Sequence, residues 1–254
     1  MKLELFNSIL RGWNLGRLDL KIRYRRSILG PIWLSISYLI TVVFLSFVWT
    51  KVFNQNIENF IWYFSIGLLL WSYLVGVINS SFMLFNENAG VLLNINIDKD
   101  VLISRNLARE VYVLLHLLLV LIIIALFAKP NLDLIEVGMS CIGLFILTII
   151  LYNLSYLVSI LVLRYRDTKE IISTLINLLY YVTPILWPIE NLKGSEYLYL
   201  NNPFFHLVNI VRAPLVNGLY WHKSIAVSMA ILILTILLKV HIKKKYDKFV
   251  ALWI

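Results

Sequence analysis

The chain has 254 residues, 60% of them hydrophobic and 15% charged, with a net charge of +9. Soluble domains are roughly 45–50% apolar and about 25% charged, and 14 acids with 23 bases cannot cover a globule of this length. A soluble fold is excluded, and the single cysteine, Cys141, excludes a disulfide framework or a thiolate metal cluster.

In chain order, Leu3, Leu5, Phe6, Ile9, Leu10 and Trp13 share one helical face, with Glu4, Asn7, Ser8, Arg11 and Asn14 opposite. This predicts an interfacial amphipathic helix within residues 1–26. Its later bases, Arg17, Lys21, Arg23, Arg25 and Arg26, suit anionic lipid, or a phosphate group held in bidentate fashion. Runs free of Asp, Glu, Lys and Arg then cover 27–50, 59–86, 111–128, 137–163, 171–189 and 224–238. A helix needs about 20 apolar residues to cross a hydrocarbon layer of about 30 Å. The runs predict six spans, over 27–50, 60–85, 111–128, 137–163, 171–189 and 221–239, the last extended by Trp221, His222 and the stem of Lys239. With the N-terminus inside, 18 of the 23 lysines and arginines lie on the cytoplasmic side and five outside, which predicts that both termini are cytoplasmic. The first span lacks a small-residue cleavage site and is expected to be retained. The expected fold class is an all-α membrane protein, one domain over residues 1–254.

The connections carry the remaining signals. Asn86–Glu110 mixes Leu92, Leu93, Ile95 and Ile97 with Asp98, Lys99, Asp100, Arg105, Arg109 and Glu110, an amphipathic cytoplasmic segment suited to docking on a partner protein. RYRDTKE, Arg164 to Glu170, forms a second, compact contact with Arg166 and Asp167. On the outer side, Pro184 and Pro188 end or bend the fifth span, and Asn202-Pro203 starts a new direction. The uncharged Tyr197–Val211 is too short to cross, so two short helices re-entering from outside are expected between spans five and six. Most aromatics read as interfacial anchors. Trp33, Tyr38, Tyr180 and Tyr181, on spans one and five, are candidates to line a sugar-conducting path.

No GxxxxGK[ST], HExxH, GxSxG or GxGxxG occurs, which disfavours nucleotide binding or catalysis in this chain. The histidines are scattered; His116, inside span three, reads as a satisfied polar contact. The five clear spans hold no carboxylate, which argues against an ion-coupled carrier. A membrane domain with cytoplasmic docking surfaces and no energy source of its own must be driven by something else.

DLKIRYRRSILGPIW (Asp19–Trp33), RYRD (Arg164–Asp167) and TPILWP with the later NP resemble, in order and spacing, the permease subunits of type-2 ATP-binding-cassette (ABC) exporters of O-antigen, capsule and teichoic-acid polysaccharides. The resemblance implies a homodimeric pore in a bacterial cytoplasmic (inner) membrane, worked by two cytoplasmic nucleotide-binding ATPase subunits that hold ATP and Mg. It implies outward movement of an undecaprenyl-pyrophosphate-linked polysaccharide, with membrane lipids around the pore and no nucleic-acid partner. On this reading Arg23, Arg25 and Arg26 meet the pyrophosphate, and Trp33, Tyr38, Tyr180 and Tyr181 line the pore. Asp98, Lys99, Asp100, Arg105, Arg166 and Asp167 dock the ATPase, and Pro203, Phe204, Phe205 and Arg212 form an outer gate. No catalytic residue, metal ligand or cofactor is expected in the chain itself. Alternatives are an ABC-2 permease for a drug or small lipid, a membrane-bound lipid-sugar enzyme, and a secondary carrier.

Overall fold

The computed structural model describes residues 2–23, 25, 27–54, 56–95, 97–189, 194 and 196–254, with residues 2–6 and 23 described in their backbone alone. The chain begins with α1 (Lys2–Arg23), turns at Gly30, where φ is +57°, and enters α2 (Ile32–Phe53). Asn54, in left-handed backbone, closes α2, and the Asn56 side chain accepts from the Glu58 amide at 2.8 Å to start α3 (Ile57–Ser81). Two short helices follow, α4 (Leu84–Glu87) and α5 (Ala89–Asn94), then the long α6 (Lys99–Ala128). Asp98 caps α6 by accepting from the Asp100 amide, and Glu136 reaches back to the Asp133 amide at 3.0 Å to start α7 (Leu134–Arg164). The order ends with α8 (Thr168–Val182), α9 (Tyr197–Leu200), α10 (Pro203–Leu215), α11 (Trp221–Tyr246) and α12 (Val250–Trp253). Every regular element among the described residues is helical.

The core is organised around α3. Phe64, Leu74 and Val77 are fully enclosed, in one cluster with Leu147, Ile150 and Leu151 of α7 and Val208 and Ile210 of α10. By contrast α2 buries a single stripe, Tyr38, Val42, Ser46 and Thr50, and leaves Ile40, Phe44 and Phe47 exposed. An apolar helix with exposed apolar faces is what a lipid solvent permits and water does not.

Among the described residues five helices are long and apolar enough to cross a membrane: α2, α3, α6, α7 and the α11 run to Trp253. The fifth predicted span differs from expectation. Its helix, α8, stops at Val182 after 15 residues, about 22 Å of rise against a hydrocarbon core of about 30 Å. Pro184 is the cause: Thr183 before it takes extended backbone, φ −79° and ψ 130°, as the steric demand of the following ring requires. Helix length therefore accounts for five crossings, and a sixth would need α8 together with its non-helical continuation.

The two long connections are folded. The 86–110 segment is mostly helical, and the first turns of α6 bury Val101, Leu102, Ile103, Leu107 and Ala108. The outer segment folds as the two short helices α9 and α10, the second buried along most of its length.

Candidate functional site

The geometry concentrates at two ends of the bundle, and the first is built on α1. Helical periodicity puts Ser8 on the polar face, but the structure buries the small-residue stripe Ser8, Gly12 and Gly16, together with Leu20. A Cβ at Gly12 would lie 2.4 Å from Ser104 Cβ and 2.6 Å from the Val101 carbonyl; at Gly16 it would lie 2.8 Å from Ala108 Cβ. The two glycines thus let the backbones of α1 and α6 meet, the small-xxx-small device of closely packed helices. Polar groups close both ends of this seam. Ser8 Oγ donates to Asp98 Oδ2 at 3.1 Å, and Arg105 pairs in bidentate fashion with Asp19, Nε–Oδ2 2.6 Å and Nη2–Oδ1 2.7 Å. The large residues Leu10, Leu18 and Ile22 stay exposed, free for lipid.

Beside this seam lies a buried ionic cluster. Asp100, 1% exposed, accepts from Lys239 Nζ at 2.8 Å, from Tyr152 Oη at 2.8 Å and from Lys243 Nζ. Lys239 also sits over the Tyr152 ring at 3.8 Å. Lys99 pairs with Asp247 at 3.1 Å, and Tyr156 Oη donates to the same carboxylate at 2.9 Å. A second polar group joins α3, α6 and α7: Ser81 and Ser155 share a 2.7 Å bond, Asn106 Nδ2 donates to Ser81 Oγ at 3.3 Å, and Arg109 Nη2 donates to Asn106 Oδ1 at 2.9 Å. Buried polar groups of this kind are tolerated because each is partnered. These bonds join α1, the start of α6 and the end of α11 into one platform.

The second end is α10. Asn202 caps it by accepting from the Phe204 amide at 2.9 Å, and Pro203 occupies the first helical position, where its missing N–H costs nothing. Gly143 of α7 admits its backbone, since a Cβ there would be 2.6 Å from the Ile210 carbonyl, and Ser140 Oγ donates to the Val211 carbonyl at 2.7 Å. His206 is held between the Leu200 carbonyl, 2.9 Å from Nε2, and Ser224 Oγ, 3.0 Å from Nδ1. Because a carbonyl only accepts, Nε2 carries the proton and Nδ1 accepts from Ser224. Arg212 is fully buried: its Nη1 donates to the Pro184 carbonyl at 2.7 Å and its guanidinium lies 4.1 Å over the Tyr63 ring. Tyr63 Oη donates to the same carbonyl at 2.8 Å, so the proline-rich turn after α8 is tied to α10 and α3 at one atom.

The family model for the ABC-2 type transporter matches residues 13–216, from α1 to the end of α10. The chain belongs to the ABC-2 type transporter family. Among curated relatives, a Klebsiella pneumoniae protein named O-antigen export system permease protein RfbA is 26% identical, with 94% of this chain aligned to 97% of that one. A Myxococcus xanthus protein of the same name is also 26% identical, over 70% of this chain and 68% of its own.

In this ABC-2 chain the sequence-predicted residues divide by their surroundings. Asp98, Lys99, Asp100 and Arg105 are engaged within the platform, whereas Arg166 and Asp167, in the turn between α7 and α8, are exposed. Tyr180 and exposed Tyr181 form an aromatic group, ring centroids 5.6 Å apart, that Trp71 and Phe204 join. Trp33 is exposed at the start of α2, while Tyr38 is buried and donates to the Ser65 carbonyl. Pro203, Phe204, Phe205 and Arg212 all belong to α10, with Phe205 stacked edge-on against Tyr199 at 5.1 Å. Arg25 is exposed; Arg26 and the Arg23 side chain lie outside the described residues. Sequence reasoning missed the Gly12–Gly16 seam, for which GxxxG was the available signal, and the roles of His206 and Ser224, for which there was none. His116 is satisfied, its Nδ1 donating to the Tyr112 carbonyl at 2.7 Å.

Proposed function

We propose that this chain is the permease subunit of an ATP-driven exporter that moves an undecaprenyl-pyrophosphate-linked polysaccharide such as O-antigen outward across a bacterial inner membrane. The observation that carries the reading is the end-to-end alignment with a permease named for O-antigen export, over 94% of this chain and 97% of the relative. ATP and Mg are held by a partner, a cytoplasmic ATPase present in two copies, and the permease acts as a homodimer with both termini in the cytoplasm.

The geometry supports a division of labour. In α8 one residue, Ile176, is buried, and Ile171, Leu175, Leu178 and Tyr181 are exposed on it. A second copy of the chain is the natural cover for such a face, and the pore then runs where α2 and α8 of the two copies meet. Trp33, Tyr180 and Tyr181 offer ring faces to the passing sugars, while Tyr38 ties α2 to α3. The ATPase docks on Arg166, Asp167 and the α4–α5 surface, and Asp98, Lys99, Asp100 and Arg105 hold that surface in shape. ATP-driven closure of the ATPase pair pushes the platform of α1 and α6, which shifts a pore with two discrete arrangements. Arg23, Arg25 and Arg26 receive the pyrophosphate, and α10 shapes the exit.

Deleting the gene in its host should remove polysaccharide from the cell surface and accumulate lipid-linked glycan inside, with both reversed by the intact gene. Undiminished surface polysaccharide would refute the assigned cargo.

A further inference from the structure

A cavity whose lining includes no residue of α2, α8 or α10 lies beside the seam of α1 and α6. It has a volume of about 760 Å³, within the range of about 300–1,000 Å³ typical of sites for small ligands, and is bounded by α1, α6, α7 and α11. Its body is apolar, with Leu107, Phe145, Ile149 and Ile236, and it opens sideways where Phe145 and Ile236 are exposed. One end carries charges of both signs, Asp98 and Asp100 with Lys239 and Lys243.

Three features restrict the occupant. An apolar cavity of this kind stays dry, and leaving it empty forfeits the dispersion contacts of its walls, so inside a bilayer a hydrocarbon chain fills it. Asn153, which lines the cavity, is 5% exposed and its Nδ2 has no hydrogen-bond partner, a buried donor that needs an acceptor. The charges at the polar end balance: Lys243 Nζ and Asp98 Oδ1 are 3.4 Å apart and both are partly exposed, so an anion and a cation are offered side by side. We propose that the cavity between α6, α7 and α11 is a binding site for one glycerophospholipid with a zwitterionic, ammonium-bearing headgroup. An acyl chain lies against Phe145, Ile149 and Ile236, an ester carbonyl accepts from Asn153, and the phosphate and ammonium meet Lys243 and Asp98. A polyprenyl pyrophosphate fits less well, because its several negative charges would face a set of side chains with no net charge and its chain carries no ester. The bound lipid completes the packing of α1 over α6 and α11, since Ile9 and Trp13 form part of the wall.

The site is testable by native mass spectrometry of the full-length chain, purified in detergent and offered equal amounts of a phosphatidylethanolamine and a phosphatidylglycerol. The intact chain should retain one phosphatidylethanolamine through activation that strips the phosphatidylglycerol. Ile236→Trp, which fills the cavity, should reduce retention at least fivefold, and Asn153→Leu should also reduce it. Leu234→Trp, at an exposed position of α11 outside the cavity, should not. Equal retention by Ile236→Trp, indifference to headgroup, or a polyprenyl phosphate as the retained species would each overturn the assignment. Should Ile236→Trp fail to fold, a phosphatidylethanolamine with a photoreactive acyl chain decides the matter on the unmodified chain. Adducts confined to the segments holding Phe145, Ile149 and Ile236 support the site, and adducts spread over all lipid-facing helices refute it.

Discussion

Asp19 and Arg105 face one another through two parallel hydrogen bonds of 2.6 and 2.7 Å, joining the last turns of α1 to the second turn of α6. This pair, with Gly12 and Gly16 behind it, makes the amphipathic N-terminal helix a fixed part of the domain rather than a loose float on the bilayer. Asp19→Asn should keep the shape of the contact but lose its charge, at a cost of about 1–2 kcal/mol for a partly exposed bidentate pair. Protease cleavage within α1 should become faster, and the exchanged pair Asp19→Arg with Arg105→Asp should restore protection in part. Unchanged cleavage in Asp19→Asn would show that the seam does not need this pair.

The glycine seam makes a steric prediction. Gly12→Leu must push α1 off α6, because even its Cβ would stand 2.4 Å from Ser104 Cβ. Overpacking of this kind costs about 1–3 kcal/mol, and protease cleavage within α1 should become faster in Gly12→Leu than in the parent chain. Leu18→Ala, at an exposed position of α1, should leave the cleavage rate unchanged.

Asp100 accepts from both Lys239 and Lys243. Asp100→Asn leaves two ammonium groups poorly compensated, a loss of about 3–5 kcal/mol for a broken buried pair, and the purified variant should aggregate or melt well below the parent in a detergent thermal ramp. Adding Lys239→Met should recover part of the loss, because the pair's removal costs less than its breakage. A double variant no better than Asp100→Asn alone would rule out direct coupling of the two residues.

These features were legible in the sequence to very different degrees. The spans stood out because lipid forbids charge, so 111–128 and 137–163 lie inside α6 and α7. The end of α8 was partly visible in Pro184. The platform was not. Asp98, Asp100 and Arg105 looked like a solvated docking surface because their partners Ser8, Asp19, Lys239 and Lys243 are about 90 to 145 positions away in the chain. The burial of Arg212 was hidden for the same reason: a lone base in VNIVRAPLV reads as a loop residue until Tyr63 and the Pro184 carbonyl are beside it.

Arg212 is not replaceable by lysine. A lysine ammonium cannot both stack on Tyr63 and reach the Pro184 carbonyl in the same planar geometry, so Arg212→Lys should loosen α10 and the turn after α8 together. Hydrogen exchange over 203–215 and 183–189 should rise in both segments, by about tenfold for a loss of about 1.4 kcal/mol. A rise confined to α10 would contradict the shared anchor at Pro184.

The exposed turn between α7 and α8 should carry partner contact. Reversing both charges, Arg166→Asp with Asp167→Arg, should lower co-purification of the ATPase at least tenfold, a change of about 1.4 kcal/mol, while the permease itself keeps its melting temperature. Full retention of the ATPase would place the docking surface elsewhere.

The central claim, that this bundle has no motor of its own and is driven from its cytoplasmic face, is tested most directly in vesicles. The permease is reconstituted with lipid-linked polysaccharide, with and without its ATPase partner, and glycan reaching the opposite face is counted by a lectin. Movement should occur with the ATPase and ATP-Mg together and stop when either is left out. Directional movement by the permease alone, with no nucleotide present, would contradict the account.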